Sequence, residues 1–361
     1  MNTLTCGFIG LGLIGGSIAR AVRAAYPKAR LLAYDIREDS LQLALQEQVL
    51  DEICPSINAS FADCDYIFLC APVSCNDENL LTLKQHLAPH TILTDVGSVK
   101  TGIHRQVEAL GLQGQFIGGH PMTGSERFGY QNSRASLLEN AYYILTPSDT
   151  VPGQKLHSYR TLVESIGAIP LILNFEEHDY VTAAISHLPH VVAASLVNLV
   201  RDADSEAGIM KMTAAGGFKD ITRIASSSPA MWQQICLTNR DNISDLLKKY
   251  IEALTKIAAE IDAGSGDTLY SFFDSAREYR ESFIDASSDL LNSLFFMEFN
   301  AQSAFRQFPV VVDPDILDTH VVGGQQGGDG GNGAGPVCDI QSQDMFGLDR
   351  AAGSVDKGLS V

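Results

Sequence analysis

The first 150 residues alternate between short apolar runs rich in β-forming residues and segments with helical periodicity. Strand and helix patterns that alternate with short connections are typical of a parallel sheet covered by helices on both faces. The chain is therefore predicted to begin with a doubly wound, mainly parallel α/β domain. The predicted strands are Thr5–Ile9, Leu31–Tyr34, Tyr66–Cys70, Thr91–Thr94, Gln115–Ile117 and Tyr142–Leu145. The predicted helices are Leu13–Ala24, Ser40–Gln48, Asn76–His86 and Val99–Leu110.

The pattern changes after residue 150. One more helix and strand are predicted at Gln154–Ile166 and Ile169–Leu173, and long helical patterns then continue through Phe283. We expect an α/β domain over residues 1–173, an all-helical domain over 174–285 and a C-terminal extension over 286–361. The extension contains 8 glycines in the 13 residues from 323 to 335, and it is expected to be flexible from about residue 312 because it cannot bury enough apolar surface to order itself.

Charge and cysteine content narrow the function classes. The chain has 25 Lys and Arg against 43 Asp and Glu, a formal charge of −18, which argues against a broad nucleic-acid surface. An anionic small substrate remains compatible with this charge, because one arginine can bind it locally. The 7 cysteines show no paired or metal-binding spacing. The N-terminal residues also lack the basic and apolar segments of a cleavable leader. Together these two features predict a cytoplasmic protein without structural disulfides or a metal site.

One apolar stretch needs separate treatment. Val181–Val200 carries no Asp, Glu, Lys or Arg over 20 residues, which is long enough to span a bilayer. It is interrupted by His187, Pro189 and His190, however, and no other segment resembles it. We expect a buried helix of a soluble protein and no membrane partner.

A dinucleotide site is predicted at the first strand–helix junction. The strand ending at Ile9 leads into G-x-G-x-x-G, and Asp35 follows its last glycine by 20 residues, at the end of the second strand. The glycines permit a tight turn, close approach of a pyrophosphate and close helix packing, while the carboxylate accepts hydrogen bonds from the ribose. This favours NAD over NADP, although Arg37 could instead pair with a 2′-phosphate. The predicted cofactor residues are Gly10, Gly12, Leu13, Ile14, Gly15, Asp35, Arg37, Ala71 and Pro72.

Three later segments narrow the chemistry. They are DVGSVK at residues 95–100, GGHPMTGSE at 118–126, and SHLPH at 186–190 followed by FKDITRIA at 218–225 and MW at 231–232. In this order and spacing, over about residues 4–284, the chain resembles the prephenate dehydrogenase family, including its arogenate and cyclohexadienyl variants. The resemblance implies a Rossmann domain plus a helical domain that dimerises. It also implies oxidative decarboxylation of prephenate to 4-hydroxyphenylpyruvate, with reduction of NAD(P)⁺, in tyrosine biosynthesis.

The resemblance also assigns residues. His120 occupies the position of the catalytic histidine, and a neutral imidazole suits a proton acceptor near pH 7. Ser98 matches the serine that orients this histidine. Arg223 matches the substrate arginine, whose guanidinium can bind a carboxylate with two hydrogen bonds. The remaining matched substrate residues are His187, His190, Ser125 and Glu126.

The residues alone leave several interpretations of single side chains, and of the function, undecided. His187 is as compatible with a buried core histidine as with a substrate ligand. Glu126 could be an ordinary surface carboxylate. Trp232 is better explained by packing between the domains than by a catalytic role. Lys100 fits a structural role. The alternatives to a prephenate enzyme are an arogenate dehydrogenase, a β-hydroxyacid dehydrogenase, which would need a catalytic lysine, and a non-catalytic NAD-binding regulator.

The resemblance leads to further expectations about partners. A homodimer is expected, and tyrosine is a candidate inhibitor. A chorismate mutase domain is not expected before the first strand. A C-terminal ACT regulatory domain is doubtful, because the last 75 or so residues lack its βαββαβ alternation.

Overall fold

The computed structural model describes residues 3–72, 75–124 and 127–283. The predicted extension from residue 286 onward, and the predicted site residues Ser125 and Glu126, lie outside these ranges.

The predicted parallel sheet is confirmed. Five parallel strands are ordered β3-β2-β1-β4-β5, so β1 lies at the centre, between β2 and β4. This order brings the carboxyl ends of β1, β2 and β4 side by side, which is where open α/β sheets bind ligands. The strands are β1 Thr5–Ile9, β2 Arg30–Tyr34, β3 Glu52–Ile53, β4 Tyr66–Leu69 and β5 Ile92–Asp95.

A second sheet of three strands continues beyond β5. It contains β6 (Ile117–Pro121), β7 (Tyr142–Pro147) and β8 (Ile169–Ile172), ordered β6-β7-β8. The β6–β7 pair is antiparallel and the β7–β8 pair is parallel. A parallel bridge between Leu93 and Phe116 joins the two sheets. The sheet is therefore mainly parallel, with one antiparallel pairing at β6.

Helices cover both faces of the first sheet and then form the rest of the described chain. Helix α5 precedes the last strand, and α6 follows it directly. The helices of the α/β part are α1 Leu13–Ala25, α2 Glu38–Gln46, α3 Asn76–Lys84, α4 Thr101–Ala109 and α5 Gly153–Ser165. The later helices are α6 Phe175–Thr182, α7 Leu188–Ala203, α8 Ile209–Thr213, α9 Gly216–Thr222, α10 Pro229–Thr238, α11 Arg240–Ala263 and α12 Gly266–Glu281.

The central strands are apolar on both faces, which explains their continuous apolar runs in the sequence. Successive residues of β1 point to opposite faces. Phe8 packs in one core, where its ring stacks on Phe68 with the centroids 5.1 Å apart. Ile9 packs in the other core, with Leu69 and Leu93.

A buried ion pair connects β5 to the start of α4. The Lys100 ammonium binds the Asp95 carboxylate, and their side chains are 0% and 1% exposed. Asp95 also accepts the backbone N–H of Gly97 at 2.9 Å and of Gly119 at 3.2 Å. Burial lowers the pKa of Lys100, whereas the charge of Asp95 opposes that shift. This pair ties the loop after β5 to strand β6, consistent with a structural role for Lys100.

The apolar stretch after residue 180 is not buried within the single chain, so the expectation of a buried helix was wrong at this level. Helices α6 and α7 join into one continuous helix, Phe175–Ala203, which is long and apolar enough to cross a membrane by length and composition. Only 17% of its most apolar window is buried, and Ile185 and Leu199 are 63% and 65% exposed. The other described elements of the chain cover little of this helix. Its apolar side chains are therefore exposed and could pack against another molecule.

The Lys100–Asp95 pair generates the first prediction. Lys100→Met should leave the Asp95 carboxylate buried without its counter-charge and lower the free energy of unfolding by about 3–5 kcal/mol. Urea unfolding monitored by circular dichroism measures the change. Lys249→Met, which removes an exposed ion pair with Asp245, is the matched control and should have little effect. An equal loss in both variants would contradict a special role for the buried pair.

Candidate active site

The glycine-rich turn has the shape needed to receive a pyrophosphate. Gly10 has φ +91°, and a Cβ at this position would lie 2.5 Å from the backbone nitrogen of Ala71. The turn therefore packs directly against the segment after β4. A Cβ at Gly12 would meet nothing within 4 Å, and no side chain caps the start of α1. The start of α1 thus has room beside Gly12 and backbone N–H groups that no side chain caps, and phosphate groups bind at such helix N-termini.

Asp35 is held in place by backbone donors from both sides. One carboxylate oxygen accepts the N–H of Leu11 at 2.5 Å, and the other accepts the N–H of Arg37 at 2.8 Å. A carboxylate has about four acceptor positions, so two positions remain for a ribose diol. The Arg37 guanidinium binds Asp39 at 3.0 Å. The residues at this turn therefore fit a dinucleotide.

His120 lies on β6, opposite Ile144 of β7. Its Nδ1 lies 2.8 Å from Nε2 of His178, on α6. Nδ1 of His178 lies 2.8 Å from a carboxylate oxygen of Asp179. His178 and Asp179 are buried, and His120 is half-buried. Three side chains thus form a line of hydrogen bonds that ends at the predicted catalytic histidine.

The hydrogen positions in this line follow from the chemistry of its last member. An ionised carboxylate only accepts hydrogen bonds, so Nδ1 of a neutral His178 carries the proton and its Nε2 is an acceptor. His120 must then donate its Nδ1–H to His178. This leaves Nε2 of His120 unprotonated, and that nitrogen is the one able to accept a proton from a substrate.

The charge states required by this arrangement agree with the surroundings. Burial opposes the charged form of Asp179, but hydrogen bonds from His178, Thr101 and Lys100 hold its pKa below the ordinary value. Burial lowers the pKa of His178 and lowers the pKa of His120 well below its usual range. Near pH 7 the carboxylate is therefore ionised and both imidazoles are neutral.

Asn239 joins this line to the second predicted histidine. Its amide nitrogen donates to the backbone oxygen of Asp179 at 2.7 Å and to Nδ1 of His187 at 3.1 Å. The amide orientation is determined, because a carbonyl can only accept and Asn242 donates to the Asn239 oxygen at 2.8 Å. His187 is 1% exposed, and burial lowers its pKa to about 4. The position of His187 therefore corresponds to a buried core histidine, one of its two interpretations.

His190 faces the helical segments that carry the other predicted substrate residues. Its ring stacks on Trp232 with centroids 3.7 Å apart, and its Nδ1 donates to the backbone oxygen of Ser186 at 2.8 Å. Burial lowers the pKa of His190, and the positive charge of Arg223 lowers it further. Arg223 follows α9 and is exposed. His190, Trp232 and Arg223 therefore form one face, and the edge-on contact of Trp232 with His187, 6.0 Å between centroids, connects it to Asn239.

Ser98 lies half-buried in the loop between β5 and α4. Because His178 occupies Nδ1 of His120, Nε2 is the ring nitrogen of His120 that stays available to another group. Sequence reasoning missed His178, Asp179 and Asn239. The adjacent His-Asp pair, nine residues before His187, was the one available signal. Within the described ranges, no group of three or more His, Cys, Asp or Glu side chains could hold a metal ion.

Two family models match consecutive parts of the chain. The model for the prephenate dehydrogenase nucleotide-binding domain matches residues 18–171. The model for the prephenate dehydrogenase dimerization domain matches residues 174–275. Together the two models cover more than half of the sequence.

Individual proteins agree with these matches. Prephenate dehydrogenase of Bacillus subtilis (strain 168) is 38% identical over 278 residues, which cover 75% of this chain and 74% of the relative. The crystal structure of prephenate dehydrogenase from A. aeolicus, in complex with hydroxyphenyl propionate and NAD⁺, has a TM-score of 0.73 and 31% identity over 78% of this chain and 98% of its own. The structure of Synechocystis arogenate dehydrogenase has a TM-score of 0.70 and 28% identity over 78% of this chain and 100% of its own. The chain therefore belongs to the prephenate dehydrogenase family.

Proposed function

We propose that this protein converts prephenate to 4-hydroxyphenylpyruvate and CO₂ with NAD⁺ as the oxidant, and that His120 is the proton acceptor. The observation that carries the assignment is the pair of 2.8 Å contacts from Nδ1 of His120 to His178 and from His178 to Asp179, because they leave Nε2 of His120 as the acceptor nitrogen. NAD⁺ bound at the Gly10–Gly15 turn supplies the hydride acceptor. The activity is tested directly by incubating the protein with prephenate and NAD⁺ and measuring the absorbance of the reduced nicotinamide that forms.

The proton balance assigns His120 two steps. Nε2 takes the proton of the ring hydroxyl as hydride leaves the same carbon and the oxygen gains carbonyl character. Loss of the ring carboxylate as CO₂ then returns an electron pair to the ring and makes it aromatic. The oxygen becomes a phenol when His120 returns the proton, so the enzyme is unchanged after one turnover. General acid–base catalysis of this kind requires a base that is neutral at the working pH.

The substrate carries two carboxylates, so its site needs cationic or donor groups in an otherwise acidic chain. We assign one carboxylate to Arg223, and we place His190, stacked beside it on Trp232, in contact with the substrate. Ser98 is proposed to bind Nε2 of His120 or the substrate hydroxyl. Ser125 and Glu126 are proposed at the entrance to the site, on the family resemblance alone, and His187 is proposed as a support for the site rather than a ligand.

The preference for NAD over NADP is proposed from the hydrogen bonds of Asp35. Its carboxylate is fixed next to the ribose position and would repel a 2′-phosphate. Arg37, the residue able to offset that repulsion, is engaged by Asp39.

Arogenate is the second candidate substrate, because a structural neighbour is an arogenate dehydrogenase. Arogenate replaces the keto group of prephenate with an ammonium, which an acidic side chain such as Glu126 would favour. Comparison of kcat/KM for the two substrates decides between them. A chain that binds NAD⁺ and turns over neither substrate would instead be a regulator.

We propose a cytoplasmic homodimer, with no membrane or nucleic-acid partner. The exposed apolar surface of the Phe175–Ala203 helix is the surface that a second copy would cover. Tyrosine, which shares the ring and carboxylate of the product, is proposed as an inhibitor.

His120 generates a kinetic prediction. His120→Asn should lower kcat by about 10²- to 10⁴-fold, the range typical of general acid–base groups, and should leave the Kd for NAD⁺ unchanged. His157→Asn, at an exposed histidine on α5, is the control and should retain activity.

The pH profile provides an independent check of the same assignment. Since burial lowers the pKa of His120, wild-type kcat/KM should hold through the ordinary histidine range near pH 6.5 and fall at lower pH, as the ring becomes protonated. Near-normal turnover in His120→Asn would overturn the assignment.

Asp35 generates a prediction about cofactor choice. Asp35→Ser should lower kcat/KM for NAD⁺ and raise it for NADP⁺, because the carboxylate that repels a 2′-phosphate is gone. Asp39→Asn releases Arg37 but keeps Asp35. It should change the ratio of kcat/KM for NAD⁺ to kcat/KM for NADP⁺ much less than Asp35→Ser does. A wild-type preference for NADP⁺ would contradict the proposal.

Arg223 generates a prediction about substrate affinity. Arg223→Ala should raise KM for prephenate by roughly 30-fold or more, the loss expected when a charge-assisted pair is truncated. Arg223→Lys should recover only part of this, since an ammonium lacks the planar pair of donors. Arg201→Ala removes an exposed arginine of α7 and serves as the control. A KM in Arg223→Ala equal to that of the control would remove Arg223 from the substrate site.

A further inference from the structure

We propose that His178 and Asp179 act as positioning residues for the proton acceptor: together they select the tautomer of His120 that leaves Nε2 unprotonated. The inference rests on the proposed role of His120 and assigns a function to two buried residues outside the predicted site. Both lie on α6, at the boundary between the sheet and the helical part of the chain.

The line of hydrogen bonds allows one arrangement of protons. Asp179 uses one carboxylate oxygen for the N–H of Thr101 at 2.8 Å, and the other for the N–H of Lys100 at 2.7 Å and for His178 at 2.8 Å. Every partner of this carboxylate is a donor. Its position and its role as acceptor are therefore determined by backbone groups that cannot change protonation state.

The alternative tautomer of His120 would cost a buried hydrogen bond. With its proton on Nε2, His120 would turn a lone pair toward the lone pair of His178 at a separation of 2.8 Å. His178 could relieve this only by moving its own proton to Nε2, and Nδ1 would then face the Asp179 carboxylate without a proton. A buried polar group without its partner is strongly disfavoured, so the observed tautomer is selected at both rings.

One charge at the end of the line, that of Asp179, favours the protonated intermediate. Among the charged groups of this network, Lys100 is paired with Asp95, which leaves the charge of Asp179 unbalanced. When His120 accepts the substrate proton, its Nδ1–H donates to His178, whose Nδ1–H donates to Asp179. The positive ring is thereby stabilised by a buried carboxylate through one neutral imidazole. Burial opposes protonation of His120, and a positive charge on His178, Lys100 or His187 also lowers its pKa.

The first experiment removes the central ring. His178→Phe keeps a buried ring but cannot accept from His120, and we expect it to lower kcat by about 10- to 100-fold, the loss found when the partners that orient metal-binding histidines are removed. KM for prephenate and the Kd for NAD⁺ should change little. His178→Gln retains an acceptor oxygen and should recover part of kcat. A merely structural role would not produce this split between kcat and the two binding constants.

A matched control is available in His104. It is also buried, burial also lowers its pKa, and it stacks on Phe175 of the same helix. Its ring binds Thr146 and Ser148 instead of His120. His104→Phe should therefore keep kcat within about twofold of wild type, even if it lowers the melting temperature by as much as His178→Phe.

The second experiment observes the tautomer without turnover. With ¹⁵N-labelled histidine, ring nitrogens that carry a proton are distinguished from those that do not by their chemical shifts, and His120 is assigned by its loss in His120→Asn. At pH 7 the wild-type protein should show His120 protonated at Nδ1 alone. In His178→Phe and in Asp179→Asn the proton should move partly or wholly to Nε2.

The outcomes separate this inference from the proposed function. An active wild type with an inactive His120→Asn, together with His178→Phe at wild-type kcat or with an unchanged His120 tautomer, would overturn the positioning role alone. A wild type that does not oxidise prephenate or arogenate would overturn the proposed function, while the tautomer measurement would still test the inference. A kcat loss in His178→Phe matched by His104→Phe would also count against it.

Discussion

The site depends on one buried carboxylate, that of Asp179. Burial of an anion is costly unless its oxygens are fully hydrogen-bonded, and here donors from two elements satisfy that requirement. Lys100 and Thr101 provide backbone N–H groups at the start of α4, and His178 provides the side-chain donor from α6. The same anion therefore joins two helices and determines the state of an imidazole.

His120, the proposed proton acceptor, and the residues that hold its ring therefore come from a strand and from a helix. His120 comes from strand β6, whereas its support comes from the first helix after the last strand. Asp95 adds a second link, because it binds Lys100 and also the backbone N–H of Gly119, next to His120. A closed series of hydrogen bonds thus runs from β5 through α4 and α6 to β6. His120 is therefore held from its backbone side and from its ring.

Much of the fold could be predicted because its causes are local. Parallel strands buried on both faces are continuous apolar runs, and β1 was placed at Thr5–Ile9 from that pattern alone. The two-residue strand β3 has no such run and was missed. The cofactor turn could also be predicted, since the glycines and Asp35 lie in one strand–helix–strand unit. The contact between His120 and His178 could not be predicted, because it joins residues 58 apart and depends on which face of α6 packs against β6.

The exposure of the long apolar helix was not predicted for a related reason. The composition of a helix shows that it is apolar but not which molecule or element covers it.

The turn at Ala183–His187 is π-helical, and the N–H of Leu188 binds the oxygen of Ala183 five residues earlier. Such a turn accommodates one more residue than an α-helical turn, and in an α-helix one residue corresponds to a rotation of about 100°. The turn therefore sets the angular offset between His178 before it and His190 after it. If this turn closed as an α-helix with all its residues kept, the helix beyond it would rotate by about 100° and carry His190 away from Trp232, while His120, His178 and Asp179 would stay in place. The extra residue of this turn is therefore what allows one continuous helix to direct His178 toward His120 and His190 toward Trp232.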